Sequence, residues 1–164
     1  MTTAWRAMRP ADLPAVSRIA AAVHRDFPEE DAVFAERLAL SPAGCLMLER
    51  AGAAAGYAIS HPWHFGPPPA LNSLLGELPA RPETHYLHDV ALLPAARGAG
   101  AARILLGRLE VLAGGLPLSL VAVGGTTGFW AGLGFRPREE PALLAKLASY
   151  GDPTARFMVQ HRSG

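Results

Sequence analysis

The groups in this chain that could do chemistry are concentrated in Leu87-His88-Asp89-Val90-Ala91-Leu92-Leu93-Pro94-Ala95-Ala96-Arg97-Gly98-Ala99-Gly100-Ala101-Ala102-Arg103. Two adjacent titratable side chains, His88 and Asp89, sit inside an apolar run, and a segment poor in side chains follows. The order reads as a buried strand, a tight turn, and a loop that opens directly into an amphipathic helix. Such a loop leaves backbone N–H groups free at the positive end of a helix dipole, worth about half an elementary charge. That geometry binds phosphate.

The residue types restrict which phosphate. A Walker loop needs a Lys followed by Ser or Thr after its last glycine, and Ala101 and Ala102 occupy that region, which excludes a nucleotide triphosphatase. A dinucleotide fingerprint needs glycine where Arg103 stands and an acid closing the next strand. That strand ends in Gly124-Gly125, so this reading fits poorly.

The surrounding elements follow from hydrophobic periodicity. Trp5–Met8 is a strand, and Asp12 caps a helix carrying Leu13, Val16, Ile19, Ala20 and Val23. A loop over 24–31 leads to a second helix over 32–40. Strands follow over 45–49 and 54–60, joined by a turn at Ala51-Gly52. Residues 61–82, rich in proline and aromatics, interrupt the pattern as a functional excursion or lid, with a short helix expected over 71–78. A central strand over 85–92 precedes the glycine loop. The next helix, 100–113, presents Ala101, Ile104, Leu105, Leu109 and Leu112 on one face. A buried strand over 118–123, a short helix ending at Gly132, a strand from Phe135 and a last strand over 155–160 complete an α/β single domain spanning residues 1–164.

Composition agrees. The chain has 164 residues, 50% hydrophobic and 18% charged, with a formal charge of +1. This is globular rather than disordered. All basic residues but Lys146 are arginine, and none forms a run that would follow a nucleic-acid backbone. Cys45, the only cysteine, lies in an apolar strand and reads as a small core residue; no Cys/His spacing suggests a metal site. No stretch approaches the roughly 20 apolar residues of a membrane span. A cytoplasmic protein, monomer or homodimer, with no nucleic-acid, membrane or metal partner, is expected.

Arg97-Gly98-Ala99-Gly100-Ala101-Ala102 also fits a third pattern: Arg or Gln, two residues, Gly, one residue, then Gly or Ala, here led in by Val90, Leu92 and Pro94. With these residues the chain resembles the GNAT superfamily of N-acetyltransferases. The resemblance extends to Arg6-Ala7-Met8-Arg9-Pro10-Ala11-Asp12-Leu13 and to Gly128-Phe129-Trp130-Ala131-Gly132-Leu133-Gly134-Phe135, an aromatic pair followed by Leu-Gly-Phe. It implies a mixed, mostly antiparallel sheet of about six to seven strands flanked by about four helices. A bulge would splay the central strands to hold coenzyme A. By resemblance, Arg97 to Arg103 would meet the pyrophosphate, and Val90, Ala91 and Leu92 would pair their backbone with the pantetheine arm. Phe129 and Trp130 would lie near the thioester.

The resemblance further implies direct attack of a primary amine, of a small-molecule acceptor, on acetyl-CoA. Such attack needs a base, an oxyanion donor and an acid. His88 and Asp89 are the candidates for the base, with His61, His64 and His85 as substitutes; alternation places Asp89 on the sheet face opposite His88. A main-chain N–H near Leu92 would meet the oxyanion. The chain departs from the family at the acid: Trp130 stands where many members have tyrosine, leaving Tyr57, Tyr86 or water. The same departure also accommodates a second reading, a module that binds acyl-CoA without catalysis. Asp26, in an acidic cluster with Glu29, Glu30 and Asp31, together with Phe27, Trp63 and Tyr86, is the expected acceptor-binding set.

Overall fold

A computed structural model describes residues 2–98, 100–139, 147 and 150–160. The chain runs β1 (Thr3–Ala7), α1 (Leu13–Val23), α2 (Asp31–Leu40), β2 (Cys45–Arg50), β3 (Ala53–Trp63), β4 (Thr84–Leu92), α3 (Ala101–Ala113), β5 (Leu118–Ala122), α4 (Thr127–Ala131), β6 (Phe135–Pro137) and β7 (Arg156–Gln160). Seven strands form one sheet in the order β1-β2-β3-β4-β5-β7-β6. Among the described strands only β4 and β5 are parallel, and α3 provides the crossover between them.

Helices cover both faces. Leu46, Leu48, Ala58, Leu87, Leu118 and Leu120 pack with Ala101, Leu105 and Leu109 of α3. The other face buries Met47, Tyr57, Ile59 and Ala91 against Val16 and Ile19 of α1 and Phe34 and Leu38 of α2. The stripe of α3 that turns inward is Ala101, Leu105, Leu109 and Ala113, an i, i+4 row. Ile104 and Leu112, expected on that face, are 56% and 41% exposed. The Trp5 indole donates to the Ala101 carbonyl at 2.9 Å, tying β1 to the start of α3.

Three local expectations change. No helix forms over 71–78, because Leu75 and Gly76 donate their amides to the Glu36 carboxylate instead. β3 also continues through His61 and Trp63, which pair with Tyr86 and Thr84. The segment expected to be an excursion therefore begins as a strand. Asp12 stands before α1, but its carboxylate holds the Arg6 guanidinium and the Arg9 amide rather than the amides of α1.

The feature that shapes the site is in β4. Ser60 pairs with Leu87 while the adjacent Ile59 pairs with Asp89, so His88 is the extra residue of a β-bulge. The parallel pairing of β4 with β5 ends at Leu87 and Leu120. Beyond that point the two strands separate.

Candidate active site between β4 and β5

The separated strands open a cavity of about 1100 Å³. Its walls include Leu87, His88, Asp89, Val90 and Leu92 of β4, Leu120 and Val121 of β5, and Phe129 and Trp130 of α4. Arg97, Gly98, Gly100, Ala101, Ala102 and Arg103 form one end. His24, Asp26 and Phe27, from the α1–α2 connection, cross the opening. No helix among the described residues is long and apolar enough to span a membrane, and no group of three His, Cys, Asp or Glu among them is placed to hold a metal.

The glycine end has the form that an anion requires. Gly98 and Gly100 hold φ of +80° and +75°, a region that L side chains rarely adopt. A Cβ at either would meet nothing within 4 Å, so the backbone faces open space. The first bond of α3 runs from Ile104 N to Gly100 O, which leaves the preceding amides without intrahelical acceptors. A pyrophosphate fits these residues. Ala99 lies outside the described residues.

Backbone alternation decides which β4 residues can pair with a ligand. Leu93 N donates to Ala55 O, so the hydrogen-bonded pairs of β3 and β4 include Tyr57 with Ala91. Val90 and Leu92 then direct their N–H and C=O groups away from β3, toward the gap. Ala91 spends its backbone on Tyr57 and does not line the cavity, which corrects the expectation that it would serve a ligand. The two outward carbonyls already have partners: His24 Nε2 lies 3.2 Å from Val90 O, and Arg97 Nε donates to Leu92 O at 3.0 Å.

The bulge also overturns simple alternation. Both His88 and Asp89 reach the face covered by α1 and α2, because the extra residue cancels one step of the pleat. His88 Nε2 lies 2.8 Å from Glu29 Oε1. Asp89 accepts from the Tyr57 hydroxyl at 2.5 Å and from His24 Nε2 at 2.8 Å. Burial opposes charge on His24, but the Asp89 hydrogen bond and charge outweigh it and raise the imidazole above its ordinary 6.5. Burial, reinforced by the Asp89 charge and hydrogen bond, holds Tyr57 well above 10.

The remaining polar groups flank this site: His61, Trp63 and Tyr86 on the same face of the sheet, and His85 on the opposite face, with Leu87. Burial lowers His61 to about 3, with the charges of His88, Arg37 and His85 adding to it against the Pro62 carbonyl. Burial likewise lowers His85, which donates to the Ser60 hydroxyl, to about 4. Tyr86 is buried, is hydrogen-bonded to Tyr150, and is raised well above 10 by burial and by that neighbour. Trp63 and Tyr86 pack with Phe157 and Val159 rather than on the cavity wall. Of the expected acceptor set, only Asp26 and Phe27 line it. His64 is exposed. Burial pushes the Cys45 thiol up to about 12, consistent with a core residue.

His24, Glu29 as the partner of His88, and Arg37 are not marked by any motif in the sequence. A histidine and a carboxylate in the α1–α2 loop are ordinary solvated residues by pattern. Only the fold of that loop over β4 gives them a role.

Solved structures share this fold. The chain aligns over 96% of its length, and 98% of the other chain, with a GNAT-like decarboxylase, GphF, in complex with isobutyryl-CoA (17% identity, TM-score 0.77). It aligns over 99% of its length with N-acetylglutamate synthase from Neisseria gonorrhoeae, complexed with coenzyme A and N-acetyl-glutamate, covering 36% of that chain (15% identity, TM-score 0.71). The ribosomal-protein-S18-alanine N-acetyltransferase from Escherichia coli matches over 99% of this chain and 97% of its own (19% identity, TM-score 0.66). No curated protein sequence matches the chain. The model of the acetyltransferase (GNAT) family matches residues 7–135, which takes in the glycine loop and the Leu-Gly-Phe signature, and the chain belongs to this family of acyl-CoA-dependent acyltransferases.

Proposed function

We propose that the protein transfers an acetyl group from acetyl-CoA to a primary amine of a small molecule, by direct attack in a ternary complex. The observation that carries this reading is His88. Its Nε2 is committed to Glu29, and its Nδ1 is buried without a partner at the bulge where the cavity begins. A carboxylate oxygen accepts, so Nε2 carries the hydrogen and Nδ1 of the neutral ring presents a lone pair. Carboxylate-oriented imidazole with its second nitrogen free is the arrangement of a general base.

In this mechanism Nδ1 of His88 takes a proton from the incoming ammonium, and the freed amine attacks the thioester carbonyl. The outward N–H groups of Val90 and Leu92 meet the oxygen as charge develops on it. The C–S bond breaks and the thiolate needs a proton. Tyr57 and Tyr86 are poor sources, because each hydroxyl is engaged and held well above its ordinary value. Protonated His24, on the cavity wall, supplies it. Trp130 packs edge-on against Phe129 and Phe135 and shapes the wall without donating.

A screen of amines with acetyl-CoA, read by release of free CoA thiol and by mass of the product, tests this. Turnover with at least one amine, lost in His88→Gln, is the expected result. Tight acetyl-CoA binding with no turnover across the panel would reject it in favour of a binding module. No binding of CoA at all would reject both.

A further inference from the structure

Five buried side-chain atoms without partners among the described residues belong to a single group on the α2 face: Arg37 Nε and Nη2, Trp63 Nε1, His61 Nε2 and His88 Nδ1. The His61 ring centroid lies 5.4 Å from Trp63, 5.5 Å from Tyr86 and 6.4 Å from His88. The Arg37 charge is felt at both His61 and Tyr86. Arg37 and His61 are each 0% exposed. Buried polar atoms are nearly always paired, so a cluster of orphans marks a place that something else completes.

The types of the five atoms say what. Arg37 spends Nη1 on Glu36 and on the Ser73 carbonyl, both at 3.0 Å. Its Nε and Nη2 are the two parallel donors of the guanidinium fork, the edge that receives a carboxylate on two bonds. Trp63 Nε1 can only donate. The two imidazole nitrogens are the reverse. His61 Nδ1 faces the Pro62 carbonyl at 2.9 Å, which can only accept, so Nε2 is a lone pair. His88 Nδ1 is a lone pair for the same reason, with Nε2 on Glu29. Three donors and two acceptors thus stand together, with the Glu29 charge beside the acceptors. Net charge argues the same way, since Glu36 and Glu29 accompany Arg37, and a lone anion would be repelled where a zwitterion would not.

We propose that this cluster is the acceptor site and that it takes a free amino acid, its carboxylate on the Arg37 fork and Trp63 Nε1, its amine between His88 Nδ1 and His61 Nε2. The proposal rests on acyl transfer at the neighbouring cavity, and His88 is the residue common to both. It gives the amine a carboxylate handle that fixes its nitrogen on the base.

The test compares each of a panel of L-amino acids with its carboxamide, using acetyl-CoA, together with calorimetric titration of the same pairs into the protein–CoA complex. Loss of the carboxylate should lower kcat/KM and affinity by roughly 10- to 100-fold, the loss expected for charge-assisted hydrogen bonds. Trp63→Phe keeps the ring and removes one donor, and Arg37→Lys removes the fork. Each should erode the preference for acid over amide without changing CoA affinity, with thermal melting showing that the variant is folded. Equal handling of acid and amide, or a preference intact in Trp63→Phe, would overturn the proposal and leave water as the partner of these atoms. A marked preference for malonyl-CoA over acetyl-CoA, with no amino-acid binding, would overturn it by moving the carboxylate to the acyl chain. Amino-acid binding with the stated preference but no CoA release would uphold this site and reject acyl transfer instead.

Discussion

The two sides of β4 are built from different materials. Toward β5, the cavity offers main-chain groups: the amides that follow Gly100 and the outward N–H groups of Val90 and Leu92. Toward α2, the cluster offers side chains drawn from separated segments: Glu29 from a loop, Arg37 from a helix, His61 and Trp63 from β3, and His88 from the bulge. The first is a shape that many sequences could make, provided they leave room for backbone. The second depends on identity at each position. On the function proposed above, the part of the reaction common to acyl-CoA chemistry rests on backbone and the selective part on side chains.

Adding bulk and charge to the backbone site should produce the largest effect. In Gly100→Glu a carboxylate enters the space proposed for phosphate, at a φ of +75°. We expect CoA affinity to fall by at least about 100-fold, from repulsion plus lost amide access. The fold should survive, because the added Cβ meets nothing within 4 Å and left-handed strain costs about 1–2 kcal/mol. Isothermal titration with CoA checks this, and unchanged affinity would remove the phosphate assignment. The complementary change is His88→Gln, which keeps a donor for Glu29 and removes the base. There kcat should drop about 10²- to 10⁴-fold while CoA affinity stays as it is. If affinity fell and kcat held, the two sides of β4 would not be separable.

The same contrast explains what could be read from the sequence. The glycine loop was legible as backbone, because Gly98 and Gly100 announce locally the left-handed turns that they make. The sheet was legible because alternation and helical period survive in runs such as Leu118–Ala122. The bulge was not. Nothing in Leu87-His88-Asp89-Val90 distinguishes a regular pleat from one with an extra residue, and the face assigned to Asp89 went wrong with it. Nothing in the sequence marks Arg37, because the segment that covers it, with Ser73 on Arg37 and Leu75 and Gly76 on Glu36, is remote in sequence. Trp63 and His61 fall outside the strand pattern because β3 runs past the point where its own pattern fades, held there by β4.

Two buried histidines at the far end of β4 from the glycine loop, His61 on the α2 face and His85 on the opposite face, give the fold a pH dependence. His61 and His85 are held near 3 and 4, below the ordinary value of about 6.5. Between those values the unfolded chain binds more protons than the folded one, so stability is complete above about pH 6.5 and is lost as pH falls toward 4 and then 3. The loss attributable to His85 is about 3 kcal/mol, an order-of-magnitude figure from 1.36 kcal/mol per unit. Urea unfolding at pH 7 and pH 4.5 should show it, and His85→Gln should flatten the slope while lowering stability at pH 7. An equal slope in that variant would show that His85 is already protonated in the fold.

The smallest expected effect lies at Tyr57, which touches the face of the bulge but not the cavity. Its hydroxyl donates to Asp89 at 2.5 Å, and the side chain is fully buried against Phe34. Tyr57→Phe removes one hydrogen bond to a charged group and leaves the ring packing as it is, so stability should fall by about 1.5–3 kcal/mol. Asp89, having lost a donor, becomes a stronger partner for His24, and the His24 imidazole should titrate higher than in the parent. That shift, followed by the ring-proton resonances of His24, separates a positioning effect from simple loss of packing. With His24 more firmly protonated but less acidic, kcat should decline only a few-fold, as expected for a modest change in acid strength. CoA affinity should not move. An unchanged His24 titration would mean that Asp89 does not link the buried tyrosine to the cavity wall.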